Sequence, residues 1–286
     1  MIKTKIAGVG YYVPEQVITN QDLEQQMDTS NEWIVRRSGI EERRWVRDGI
    51  CTSDLAFEAS KKAMKAAKVS SEDIDLVIVG TITSDYFFPG VSAQLQDRLN
   101  LHHIGAFDVK AACSAFIYAL SIGDQFIRTG VCSTILIVGA EVQSKFLNIS
   151  TEGRDMAVLF GDGSGAAILK KSDDESGILS THLHCQGANI KDLWMEAPGS
   201  AENCQMTNIK LEEGRHFPLM NGREVFRNAI VRFPEVIQES LDASGLTLDD
   251  VNLIIPHQAN LRISQAVAKR LGVGMDKVFS NIHKYG

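Results

Sequence analysis

An internal repeat constrains the fold of this chain more than any other feature. VSSEDIDLVIV (69–79) lines up with LTLDDVNLIIP (246–256), with apolar and acidic positions matching almost throughout. After a slight shortening, VSAQLQDRLNL (91–101) lines up with ISQAVAKRLGV (263–273). Each pair reads as a strand followed by a helix, and two elements repeated in the same order point to a duplicated domain. Such a duplication brings equivalent strand ends together, and ligand sites of open α/β sheets lie at the carboxyl ends of strands. Cys113 ends one such strand and His257 another.

The segments between the repeats fit the same architecture. DLAFEASKKAMKAAK (54–68) carries apolar residues at Leu55, Ala59, Ala63 and Ala67, one helical face, with Ser53 as a plausible N-cap. DLVIVGTI (75–82), GAFDVKAAC (105–113), STILIVGAE (133–141) and MAVLFGDGSGAAILKK (156–171) read as strands, and SAFIYALSIGDQFIRTG as the helix after Cys113. The alternation predicts an α/β fold with a parallel sheet covered by helices. GDGSG (161–165) resembles a phosphate loop, but apolar runs flank it and no Lys-Ser/Thr follows, so a tight turn between strands is expected. Residues 184–222 lack a clear period and read as an excursion from the core. REVFRNAIVRFPEVIQESLDASG (223–245) reads as a helix that Pro234 kinks or divides. The expected halves are 1–171 and 172–286. The segment that follows Cys113 has no counterpart in the second half, which predicts a matching helix and strands beyond Gly286.

Charge and cysteine usage narrow the functional class. The 36 acidic against 29 basic residues give a net charge of −7 with no basic tail, an unfavourable starting point for nucleic-acid binding. Cys51, Cys113, Cys132, Cys185 and Cys204 are scattered without a C-x-x-C pair, which argues against a disulfide framework and fits a reducing compartment. The N-terminus lacks a signal peptide's apolar core, and no apolar run reaches the roughly 18 residues of a membrane span. A soluble cytoplasmic protein is expected.

Placement alone leaves the chemistry of the candidate residues open. Cys113 is either a small packed residue or a nucleophile; a following helix would aim free N–H groups and its positive end at the sulfur and favour thiolate. His257 in PHQANLR is either a packed or capping His, or a group that hydrogen-bonds a developing oxyanion. His182, His184 and Cys185, expected on a strand, bring two His to one face but lack further metal ligands nearby. His102 and His103 sit in a turn. Trp33, amid Arg36, Arg37, Arg43 and Arg44, is either half-buried on a solvated helix face or a platform for a base beside phosphates.

GVGYYVPE, TSNEWIVRRSGI, FDVKAACSAF, FGDGSGAA, STHLH, NGREVF and PHQANLRI together carry a resemblance that spans essentially the whole chain. The chain resembles β-ketoacyl-acyl-carrier-protein synthase III, the initiating condensing enzyme of type II fatty acid synthesis. The resemblance implies a thiolase-like fold, duplicated α/β halves in an αβαβα layering. It implies that Cys113 takes an acyl group from acyl-CoA as a thioester, and that His257 with a family Asn stabilises the enolate from malonyl-acyl carrier protein. Trp33 and Arg154 match the pair that sandwiches the CoA adenine, with Arg37 near the phosphates. Gly222, Phe226, Ala259 and Asn260 match the pantetheine tunnel. Phe88 matches a residue reaching the partner subunit's acyl pocket, which implies a homodimer. Arg227, Arg262, Lys269 and Arg270 match the carrier-protein docking patch. No metal and no redox cofactor is implied.

The chain departs from the pattern in two places. Ala115 stands where the family has Gly, and the extra methyl is expected to crowd the turn or the acyl pocket. The family Asn would directly follow Gly286. The competing expectations are an acyl thioesterase using Cys113 and His257, a secondary-metabolite condensing enzyme of the same fold, and a non-catalytic acyl- or carrier-binding protein.

Overall fold

A computed structural model of the chain describes residues 2–201 and 208–286, so Cys204 lies outside the described residues. The chain forms two compact units, each assembled from three segments. The first comprises Met1–Gln16, Arg44–Val142 and Asp162–Leu183; the second comprises Val17–Arg43, Gln143–Gly161 and His184–Gly286. The elements that position candidate residues are helices α1 (Asn31–Ser38), α2 (Thr52–Ala67), α3 (Val91–Arg98), α4 (Ala115–Arg128), α5 (Gly222–Ser244) and α6 (Leu261–Leu271). Their strands are β1 (Thr4–Tyr12), β2 (Leu76–Gly80), β3 (Gly105–Val109), β4 (Thr134–Glu141) and β5 (Gly163–Lys171).

The first unit is built on a sheet of order β1-β5-β4-β2-β3. β2 runs parallel to both β3 and β4, while β5 is antiparallel to β4 and to β1. Successive side chains of the inner strands go to opposite cores. Val77, Val79, Leu136, Val138 and Ile168 pack with Ala56, Ala59, Ala63 and Leu95 of α2 and α3. Leu76, Ile78, Ile135, Ile137 and Leu169 pack with Ala119 and Ile127 of α4. Both faces are covered, which is why these strands are apolar throughout. Each fully buried Leu, Ile or Val contributes about 1.5–3 kcal/mol. Two glycines bring α2 against β1: a Cβ at Gly8 would stand 2.4 Å from the Ala67 nitrogen, and one at Gly10 2.3 Å from the Ala59 oxygen.

Several local expectations are corrected. The α2 N-cap is Cys51, not Ser53: Thr52 already begins the helix, and the Cys51 N–H donates to Asp54 at 2.9 Å. Residues 156–171 are not one strand. Arg154–Ala157 is a helical turn, and β5 starts only at Gly163, so most of GDGSG lies within the strand's start rather than in a hairpin. His182, His184 and Cys185 lie in no regular element.

The second unit carries α1, α5 and α6 together with a short hairpin, Leu193–Trp194 against Leu219–Met220, in the region expected to be irregular. Pro234 does not divide α5, which runs from Gly222 to Ser244 as one helix. Proline has no N–H for the carbonyl four residues earlier, here that of Ile230. Arg270 of α6 donates to that oxygen at 3.2 Å, giving it a partner.

The repeat is visible in each unit taken alone. Ser70 and Thr247 occupy the same place before the 3₁₀ turns Ser71–Asp73 and Leu248–Asp250, and each accepts the reciprocal capping of the Asp three residues on. Val77 pairs in parallel with Ala106, and the matching residues Ile254 and Val278 form a parallel bridge. α3 and α6 follow as counterparts. Among the described residues, no helix is long and apolar enough to cross a membrane.

Candidate functional site

Cys113 stands on a sharp turn between β3 and α4. Residues Ala112–Ser114 form a 3₁₀ turn, and Ala112 adopts φ 46°, left-handed backbone that costs a non-glycine residue about 1–2 kcal/mol. The turn brings Cys113 to the N-terminal end of the 14-residue α4. Ala115, where the resemblance has Gly, is buried, and its methyl faces the Cβ-free side of Gly80, where an added Cβ would lie 2.8 Å away. The glycine at the end of β2 therefore makes room for the alanine at the start of α4.

The expected preference for thiolate is not what the surroundings produce. Desolvation, followed by the charge of Glu141, pushes the Cys113 thiol above its ordinary value, and its own backbone N–H acts the other way. Water reaches the residue, while protein atoms crowd the space around the sulfur, and the crowding decides the direction. The N-terminal end of α4 opposes the rise, but the resting group at neutral pH is a thiol.

Glu141, at the end of β4, was not singled out by sequence reasoning. Its signal was a lone carboxylate closing the apolar run ILIVGAE. The Ile82 N–H donates to one carboxyl oxygen at 2.9 Å and the Thr83 hydroxyl to the other at 2.5 Å. Burial outweighs these bonds and pushes the carboxyl up to about 7. Phe88, in the same unit, is 81% exposed and meets Phe87 edge-on at 6.3 Å.

In the second unit the structure brings together the three residues expected to hold a nucleotide. The Arg37 guanidinium lies 4.8 Å from the Trp33 ring centroid and that of Arg154 lies 5.0 Å from it. Ser30 caps α1 by accepting the Trp33 N–H, and Gly39 ends the helix at φ 80°. Arg154 Nη1 donates to the Asp28 carbonyl at 2.6 Å, and Thr151 accepts the Asp28 N–H at 2.9 Å, which fastens this loop beneath α1.

α1 is tied in turn to the PHQAN segment. Asn260 caps α6 by accepting the Arg262 N–H at 2.9 Å and donates to the Arg37 carbonyl at 2.9 Å. A Cβ at Gly39 would stand 2.6 Å from Leu261, so α1 ends directly against the start of α6. Gln258 accepts the Asn281 N–H at 2.7 Å. His257 is open to water on one side, yet desolvation by the protein around it lowers its pKa, which keeps the imidazole neutral at pH 7. Arg262 lies 5.7 Å from the Phe226 ring, and Gly222 opens α5. Arg227 pairs with Glu224 at 3.0 Å, Lys269 is exposed on the last turn of α6, and Arg270 is engaged at Ile230. Cys113, Phe88 and His182 thus belong to the first unit, and His257, the Trp33 cluster and the candidates of α5 and α6 to the second. Among the described residues, no group of three or more His, Cys, Asp or Glu could hold a metal ion, so His182, His184 and Cys185 do not form such a site.

The comparisons with known proteins fit this arrangement. The description "3-Oxoacyl-[acyl-carrier-protein (ACP)] synthase III" matches residues 107–187, which contain the Cys113 turn, and its C-terminal counterpart matches 241–286, which contain His257 and α6. The β-ketoacyl-[acyl-carrier-protein] synthase III of Xanthomonas campestris pv. campestris (strain 8004) is 46% identical over 285 residues, spanning all of this chain and 85% of that protein. The chain belongs to the β-ketoacyl-[acyl-carrier-protein] synthase III family. A second synthase III, from Caldanaerobacter subterraneus subsp. tengcongensis, is 43% identical over the same shares of both chains. The crystal structure of the synthase III from Aquifex aeolicus VF5 superposes with a TM-score of 0.89 at 40% identity, covering 99% of this chain and 85% of that one. The priming β-ketosynthase of the R1128 polyketide pathway also superposes at 0.89, at 30% identity. The synthase III fold is thus the duplicated α/β fold expected from the repeat and the thiolase-like fold implied by the resemblance.

Proposed function

We propose that this synthase III family member joins an acyl-CoA primer to malonyl-acyl carrier protein, releasing carbon dioxide and giving 3-oxoacyl-acyl carrier protein, the initiating step of type II fatty acid synthesis. The observation that carries the reading is the placement of Cys113 on a strained turn at a helix N-terminus, in a chain 46% identical to a named synthase III.

In this scheme the Cys113 sulfur attacks the acyl-CoA carbonyl, its proton passes to the departing CoA thiolate, and a thioester forms on Cys113. Malonyl-acyl carrier protein then loses carbon dioxide. Neutral His257 donates a hydrogen bond to the thioester oxygen as enolate charge develops there. The enolate carbon attacks the acyl-Cys113 thioester; the new C–C bond forms as the C–S bond breaks, and the released thiolate is reprotonated. The backbone N–H groups at the start of α4 lie at the nucleophile, where such donors stabilise a tetrahedral oxyanion.

Trp33 and Arg154 stack the CoA adenine and Arg37 meets its phosphates. Gly222, Phe226, Ala259 and Asn260 line the pantetheine path. Arg227, Arg262, Lys269 and Arg270 receive the acidic carrier protein, whose docking depends on local field and so tolerates a net charge of −7. The working protein is a homodimer in the cytoplasm, with Phe88 directed to the partner subunit's acyl pocket and halves dividing near residue 171. No metal or redox cofactor enters the scheme. The test is malonyl-dependent formation of 3-oxoacyl-acyl carrier protein from acetyl-CoA. Steady release of free fatty acid without that product would replace condensation with thioester hydrolysis.

A further inference from the structure

We propose that Glu141 is a positioning residue for Cys113: its carboxyl fastens the segment after β2 beside the nucleophile turn and stands at the same end of the sheet as that turn. The strand registers place these groups together. Gly80 of β2 is level with Val109 of β3 on one side and with Gly139 of β4 on the other, so β2 and β3 end at one height while β4 runs two residues further, to Glu141. Beyond those ends lie Thr81–Thr83, the Cys113 turn and Glu141.

The network between them is continuous. Glu141 accepts from the Ile82 N–H and the Thr83 hydroxyl. That hydroxyl accepts the Val142 N–H at 2.9 Å, and the Thr83 carbonyl accepts the Thr52 hydroxyl at 2.5 Å. On the other side, the Thr81 N–H donates to the Val109 carbonyl at 3.3 Å, where β3 gives way to the nucleophile turn. Glu141 thus grips the segment that borders that turn. The groups acting on its carboxyl are the surrounding protein and hydrogen bonds from Ile82, Thr83 and Thr81; among the described residues, the side-chain charge acting on Cys113 is that of Glu141.

An anion at this place disfavours a second anion on sulfur. A thioester is neutral and carries no such penalty. Glu141 therefore keeps the free nucleophile as thiol without opposing the neutral thioester, a consequence that rests on the proposed acyl-accepting role of Cys113.

The test is alkylation of Cys113 by iodoacetamide across a pH series, read by peptide mass spectrometry. Glu141→Gln should move the midpoint down by about half a unit or more, so the rate between about pH 8 and 9, where Glu141 is ionised, rises about threefold. Glu141→Asp, which keeps the charge, should keep the wild-type midpoint. Thr83→Val removes one hydrogen bond from the carboxyl but leaves it ionised where Cys113 titrates, so the Cys113 midpoint should stay near the wild-type value. A Glu141→Gln profile that overlays wild type overturns the proposal, as does an equal shift in Glu141→Asp. If Glu141→Gln does not fold, Glu141→Ala, which also removes the charge, is read in its place, and an unshifted midpoint decides against the proposal. Alkylation needs no condensing activity: a missing shift alongside intact acyl transfer rejects only the role of Glu141, whereas a shift without acyl transfer rejects only the condensing reading.

Discussion

Replacing Trp33 with Ala should weaken CoA binding by about 5- to 30-fold, through the nucleotide end of the ligand alone. Stacking a base on an aromatic side chain contributes about 1–3 kcal/mol. In the free protein, Arg154 already lies 5.0 Å from the ring and is held by the Asp28 carbonyl. A base that inserts must open this exposed cation–π contact, which costs about 0.5–1 kcal/mol. The net loss on deleting the ring is then about 1–2 kcal/mol, at about 1.4 kcal/mol per tenfold. Calorimetric titration with CoA measures it, and titration with pantetheine, which lacks the nucleotide, provides the control. Pantetheine should bind both proteins alike. Trp33→Ala and Arg154→Ala should also be non-additive, because each removes one side of the same stack. Unchanged CoA affinity in Trp33→Ala, or an equal loss for pantetheine, would refute the reasoning.

Three further outcomes follow from particular contacts. Pro234→Ala restores an N–H to the Ile230 carbonyl and should stabilise the protein by about 1–3 kcal/mol in denaturant titrations; Arg270→Ala should cost about 1 kcal/mol in the wild type and nearly nothing in the Pro234→Ala background. Because burial lowers the His257 pKa, malonyl-dependent condensation should hold steady as pH falls through the ordinary imidazole value of 6.5 and drop only below it, and His257→Ala should spare acylation of Cys113 while abolishing condensation; an acid limb above 6.5 would contradict the assignment. Glu141 has its carboxyl raised from 4.5 to about 7, so its contribution is present below 4.5 and lost as pH rises to about 7; melting curves should show Glu141→Gln gaining about 3 kcal/mol on the wild type between pH 4.5 and 8.

The parts of the fold legible in the sequence are those whose signal is local. β2 and β4 are buried on both faces, so their apolar runs announce them, and the spacing of Leu55, Ala59 and Ala63 announces α2. The Ser70/Asp73 and Thr247/Asp250 pairs made the repeat readable because each closes its own turn within three residues. AVLF misled because the path there is set from far away: the Asp162 N–H donates to the Arg44 carbonyl at 2.7 Å and its carboxylate accepts the Val46 N–H at 2.7 Å. A run that is apolar and β-prone by composition is thereby folded into a helical turn and a bend.

The candidate site divides in the same way. Cys113 and the Trp33 cluster were legible as residue types in suggestive settings. Glu141 was not, because its hydrogen-bonding partners, Ile82 and Thr83, lie nearly sixty residues earlier in the chain. Arg270 looked like one more docking cation, and its bond to Ile230 follows only once α5 and α6 are seen side by side. Thiolate character at Cys113 was expected from the helix end alone, while the neighbouring carboxylate and desolvation, both products of the tertiary fold, reverse the balance.

The central claim is that Cys113 accepts an acyl group. Intact-mass spectrometry of the protein incubated with acetyl-CoA tests it most directly. A single acetyl adduct, mapped by peptide analysis to Cys113 and lost in Cys113→Ser, is the predicted result. An adduct that persists in Cys113→Ser, or no adduct with any short- or medium-chain acyl-CoA, would contradict it.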